Sequence, residues 1–167
     1  MSVGTYSIEF QHKVINVKAP FDTVFEAFMS EFPLIDPHML SLLHSPQPAF
    51  AARSLGQGKT LRTFSMIDYT PALAAQGSAD RGFEIHIGDP LAKLDILRRS
   101  IIAAHLIPKR IIVCPSGQRT ALRYTSDYER LNYDLATTGG DMEALHQFGE
   151  FEDALLAELR RVTSGLG

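Results

Sequence analysis

The residues that follow Asp141 most limit what this chain can become. Met142, Leu145, Phe148, Phe151, Leu155, Leu159 and Val162 recur at steps of three and four, which places them on one apolar stripe of a long helix. Asp141 caps its start, and Gly165 stands where such a helix ends. A stripe of that length must lie on an apolar surface of similar length, and the remaining sequence predicts a sheet to receive it.

Tyr6 to Lys18 alternates as a strand, with Ile8, Phe10, His12 and Val14 sharing one face. Ile15 and Val17 fall on the other face, the pattern of a bulged strand or one covered on both sides. Pro20 then opens a helix whose Phe21, Val24, Phe25, Phe28 and Phe32 form a buried face, and Pro33 ends it. Thr60 to Ile67 predicts a strand with Leu61, Thr63, Ser65 and Ile67 on one side. Asp68 to Gln76 predicts a short helix closed by Gly77, and Phe83 to Ile87 a brief strand. Gly88-Asp89-Pro90 opens the next helix, with Leu91, Leu94, Leu97, Ile101 and Ile102 on its apolar side. Lys109–Cys114 and Arg119–Thr125 flank Pro115-Ser116-Gly117-Gln118 as a β-hairpin.

The resulting order is β-α-β-α-β-α-β-β-α. It predicts an α+β fold class: one domain spanning residues 1–167, with helices packed on a mixed, largely antiparallel sheet. Residues 34–58 fit this order least and read as an irregular insertion, with a short helix from Asp36-Pro37 to Leu43.

The formal net charge of −3 supplies no extended basic field for a nucleic-acid backbone. The pairs Arg98-Arg99 and Arg160-Arg161 read as solvated helix faces. Cys114 is the single cysteine, so no intrachain disulfide and no thiolate cluster can form. The longest apolar stretch, Ile96 to Ile112, is interrupted by Arg98, Arg99, His105, Lys109 and Arg110, and cannot cross a bilayer without burying charge. Met1 to Tyr6 shows no secretory pattern. A soluble protein of the reducing cytoplasm is expected, with neither nucleic acid nor membrane as partner.

Four stretches in order resemble the family known as domain of unknown function DUF302. They are Met66-Ile67-Asp68-Tyr69 followed by Ala72, Ala74, Ala75 and Gly77; Ile85-His86-Ile87-Gly88-Asp89-Pro90; Leu106-Ile107-Pro108-Lys109-Arg110-Ile111-Ile112-Val113; and Leu122-Arg123-Tyr124-Thr125-Ser126-Asp127-Tyr128. The resemblance implies a small α/β fold, often dimeric, without an assigned reaction and with no catalytic residues to carry over. Asp89 stands where the family usually has asparagine, and Tyr69 where it often has histidine. Gly88 and Lys109 occupy places where some members carry cysteine, which removes thiol chemistry at those two points.

Asp68 and Asp89 both sit at strand-to-helix junctions, where α/β proteins hold ligands. The expected ligand cleft therefore comprises Asp68, Tyr69, His86, Gly88, Asp89 and Pro90. Tyr124 joins it from the series Tyr124, Tyr128 and Tyr133. The leading expectation is a self-associating domain, a homodimer, that binds a small molecule or a partner. One alternative is an enzyme with Asp89 or His86 as general base. Another is haem or metal binding through His12 or His86, two strand residues able to approach across the sheet. No two histidines lie three or four residues apart, and no Ser-His-Asp order with a nucleophile elbow is present. The cofactor is left unassigned.

Overall fold

The computed structural model describes residues 7–43 and 61–166. His44 and the remainder of the 34–58 stretch beyond Leu43 lie outside them, so the expected insertion is met only through its first part. There Leu34 bridges to Thr63 and α2 (Pro37–Leu43) follows Asp36 as expected.

Five strands form one sheet: β1 (Gln11–Val17), β2 (Arg62–Asp68), β3 (Phe83–Gly88), β4 (Lys109–Ser116) and β5 (Arg119–Ser126). Their spatial order is β1-β5-β4-β3-β2, and every neighbouring pair is antiparallel. Among the described residues the parallel component is the single Leu34–Thr63 bridge. At the hairpin Ser116 pairs with Arg119, which leaves Gly117-Gln118 as a two-residue turn. Gly117 takes φ +65°, a conformation that favours glycine.

Helices cover one face of this sheet. Against it α1 (Phe21–Glu31) buries Phe21, Val24 and Phe28, and α7 (Met142–Ser164) buries Leu145, Phe148, Phe151, Leu155, Leu159 and Val162. Asp141 caps α7 by accepting from the Glu143 amide at 2.9 Å. Two details of the expected stripe change: Met142 is exposed, and the stripe admits the carboxylate of Glu152. The connecting helices are α3 (Thr70–Ala75), α4 (Pro90–Leu97), α5 (Ile101–His105) and α6 (Tyr128–Thr138).

Three further expectations are corrected. The helix expected to run from Pro90 past Ile101 breaks at Ser100, whose hydroxyl accepts from the Ala103 amide at 3.2 Å and starts a new helix. Ile101 and Ile102 are consequently exposed. In β1 the buried side is Ile15 and Val17, so Phe10, His12 and Val14 point away from the core. In β2 a bulge between Thr63 and Ser65 ends the simple alternation: Thr63 is fully buried, while Ser65 and Ile67 face outward. Helix α6 has no counterpart in the expected order; it buries only Leu131 and Leu135, too few apolar positions to declare a stripe. No helix among the described residues is long and apolar enough to cross a membrane.

Candidate functional site

The expected cleft does not assemble as one unit. Because β2 and β3 run antiparallel, Asp68 pairs with Phe83 while Arg62 pairs with Gly88. Asp68 and Asp89 therefore lie at opposite ends of this strand pair, about 20 Å apart at ~3.4 Å per residue. Asp68 accepts from the Thr70 amide at 2.8 Å. Asp89 accepts from the amides of Leu91 at 2.8 Å and Ala92 at 3.2 Å, so it occupies the donors that an incoming anion would use. Gly88 packs so tightly that a Cβ there would lie 3.0 Å from Pro108 Cα and Ile107 Cγ2, and Pro90 is buried beside it. Asp89 also borders a groove of about 600 Å³ shared by α1, α4 and α7, away from His86.

His86 and Tyr69, in contrast, do come together, through a residue the sequence reading passed over. Glu84 is two residues before His86 on β3, hence on the same outward side. Its carboxylate meets His86 Nε2 at 2.8 Å and accepts from the Tyr69 hydroxyl at 3.2 Å. On the other side of the ring, His86 Nδ1 lies 3.0 Å from Ser65 Oγ. The Arg110 guanidinium stands 3.8 Å from Glu84. Burial, followed by the hydrogen bond to Glu84 and that residue's charge, raises the Tyr69 hydroxyl above its ordinary pKa.

The strand register sets these groups in rows across the uncovered face. His12 pairs with Thr125, and His86 with both Arg110 and Ser65. In the next row Val14 pairs with Arg123, Arg123 with Ile112, Ile112 with Glu84, and Glu84 with Ile67. His12 and His86 are thus separated by β5 and β4, three strand spacings of ~4.8 Å, or roughly 14 Å. Two imidazoles that far apart cannot ligate one ion at ~2.1 Å each. Over β1, β5 and β4 the rows frame a depression of about 520 Å³, bordered by Phe10, His12, Val14, Arg110, Ile112, Arg123 and Thr125, with Lys13, Lys109, Tyr124 and Asp127 also at its border.

A second group of charges lies on the covered side. Lys109, first residue of the central strand, is 3% exposed and forms ion pairs with Asp127 and, at 3.2 Å, with Glu152 of α7. Glu152 also accepts from Ser126 Oγ at 2.5 Å and from the Asp127 amide at 3.2 Å. Tyr124 sits over this group with the Lys109 ammonium 5.5 Å from its ring. Its buried hydroxyl makes no hydrogen bond of ordinary geometry, yet lies near enough to Glu152 and Ser126 to feel both. Burial, with the Glu152 charge second, holds its pKa far above the usual tyrosine value. Tyr124 therefore belongs to this inner cluster, away from Asp89. Two signals pointed to it: Lys109 shares its parity with Ile111 and Val113, and Glu152 follows Phe148 by four residues.

With this geometry in view, comparison with known proteins decides the fold. The sequence matches no family model and no curated protein. Among solved structures it is similar to an uncharacterised conserved DUF302 protein from Bacillus stearothermophilus, with a TM-score of 0.58 at 9% identity. The likeness covers 93% of this chain and 98% of that one. The chain has the DUF302 fold. At this identity the likeness speaks for the DUF302 backbone arrangement alone.

Proposed function

We propose that the protein binds a small molecule bearing a phosphate or carboxylate group on the open face of its sheet, with Arg110 and Arg123 as the recognising residues. The observation that carries this reading is the pair of guanidiniums, on neighbouring strands, that border one depression. Arg110 is 65% exposed and its nearest partner, Glu84, is 3.8 Å away. Arg123 has no ion-pair partner among the described residues. They project from neighbouring strands: Arg123 pairs with Ile112, and Arg110 is two residues earlier on β4, the diagonal position.

A guanidinium is a planar fork of donors that matches the oxygens of a carboxylate or phosphate, and two forks on adjacent strands converge on one such group. Thr125 and His12, bonded to each other at 3.1 Å, add polar atoms at the rim. Phe10 and Val14, each 47% exposed, offer apolar surface to the rest of the molecule. Against a net charge of −3 for the chain, two guanidiniums at one depression are a local concentration of positive charge.

Calorimetric titration with inorganic phosphate and with citrate at low ionic strength tests the reading. Saturable binding is expected, with at least a tenfold loss of affinity in Arg123→Ala and in Arg110→Ala, the scale of a lost charge-assisted hydrogen bond. Affinity unchanged by both substitutions would reject it.

A second reading, favoured by the exposure of Val14 and Ile67 on this face, is that a second copy of the chain covers it. Five strands at ~4.8 Å and seven residues at ~3.3 Å give a face of roughly 550 Å² before side-chain relief, comparable to the ~800 Å² per partner of stable interfaces. Native mass spectrometry should then show a dimer that Val14→Glu dissociates. A monomer at micromolar concentration would count against it.

A further inference from the structure

We infer that Ser65, His86 and Glu84 form a nucleophilic site that cleaves small esters. Glu84 sets the protonation of the ring. An ionised carboxylate only accepts, so a neutral His86 bonded to Glu84 at 2.8 Å carries its proton on Nε2. The lone pair is then on Nδ1, where Ser65 Oγ lies at 3.0 Å and donates into it. A hydroxyl hydrogen-bonded to an imidazole whose other nitrogen is held by a carboxylate is the arrangement that activates serine in acyl transfer.

The backbone supports this placement. Thr63 pairs with Ile87 on the buried side, so regular pairing would set Phe64 opposite His86. The bulge omits Phe64 and brings Ser65 to His86 instead. Ser65 is exposed, as a nucleophile must be, whereas the Glu84 side chain is only 11% exposed and is further fixed by the Tyr69 hydroxyl. Arg110, the strand neighbour of His86, places a cation 3.8 Å from Glu84.

In the reaction, Ser65 Oγ bonds to the ester carbon as its proton passes to His86 Nδ1. The leaving alkoxide departs with that proton. Water then attacks the acyl-Ser65 ester, giving its proton to His86, which returns it to Ser65 as the acid is released. No redox partner is needed. The substrate class, an ester carrying an anionic group, rests on the Arg110–Arg123 reading; the nucleophile itself does not. Ser65 and His86 are the catalytic residues, and Glu84 is a positioning residue.

A fluorophosphonate probe, which reacts with an activated serine hydroxyl by loss of fluoride, tests the nucleophile without any anion. Peptide mapping should find the phosphonyl group on Ser65. Labelling should vanish in Ser65→Ala and fall at least tenfold in His86→Ala. Glu84→Gln can donate to Nε2 and so move the ring proton to Nδ1; it should also fall at least tenfold while its circular dichroism stays native. Because the probe needs no anionic group, phosphonylation of the parent protein is read independently of its phosphate titration, so that loss of anion binding and loss of the nucleophile are told apart. Absence of phosphonylation at Ser65, or labelling indifferent to His86→Ala, would overturn the inference.

Discussion

Lys109 and Glu152 meet at 3.2 Å between the central strand and the longest helix, with both side chains at most 5% exposed. Asp127 joins the same ammonium, so one cation stands against two carboxylates inside the fold. Burying such groups is costly unless each finds its partner, and this cluster ties α7, the β5–α6 junction and β4 together through their charges. Removing Lys109 should therefore do more harm than removing either carboxylate alone. Lys109→Met is expected to lose about 3–5 kcal/mol, because two carboxylates are left facing each other. Glu152→Gln should lose less, since Asp127 keeps the ammonium paired and an amide oxygen still accepts from Ser126. Urea denaturation of the two variants against the parent measures both. Equal losses would show that the ion pair is not what holds the cluster.

Tyr124 gives the cluster a signature at alkaline pH. Its folded pKa is raised, so folded and unfolded chains both keep the neutral phenol below about pH 10, the ordinary tyrosine value. Above that the unfolded chain ionises first and stability falls with rising pH. Tyr124→Phe should be as stable as the parent at neutral pH, or slightly more so, because the deleted hydroxyl is buried without a well-formed hydrogen bond. Its stability should also decline less between pH 10 and 11. Thermal melts across that range provide the comparison, and an identical alkaline decline would contradict the assignment.

At the start of α4, the cap and the glycine make separable contributions. Asp89→Asn keeps a side-chain oxygen for the Leu91 and Ala92 amides and should be close to neutral, whereas Asp89→Ala should cost about 1 kcal/mol. Gly88→Ala drives a methyl to 3.0 Å from the Pro108 backbone, where no flexible side chain can yield, and should cost about 1–3 kcal/mol. Guanidinium midpoints order the three variants. Asp89→Asn falling as far as Asp89→Ala would show that the charge, beyond the cap, matters there.

Local periodicity carried most of the fold and little of the site. The aromatic face of α1, the cap at Asp141 and the turn at Gly117 were all legible because each is decided by neighbours within a few residues. The outward side of β1 was not, since Phe10 and Val14 look like core residues until the sheet is seen to be covered, among the described residues, on one face only. Strand direction was also silent in the sequence, and it alone separates Asp68 from Asp89. A one-residue bulge exchanges Phe64 for Ser65 opposite His86, a change of register that no alternation count reveals. The row from His12 to Ser65 and the Arg110–Arg123 diagonal likewise exist only once five strands are paired. The charges at Lys109 and Glu152 were readable in principle, because both stand at positions that parity and helical spacing assign to the core.

The central claim is that the open face of the sheet, through Arg110 and Arg123, receives an anion. Nitrogen-edited NMR of the labelled protein during titration with inorganic phosphate tests it most directly. Saturating shifts are expected in the side-chain Nε–H signals of Arg110 and Arg123 and in the amides of His12 and Thr125, with the α4 amides of Leu91 and Ala92 unmoved. Shifts centred on Leu91 and Ala92, or none that saturate, would contradict the account.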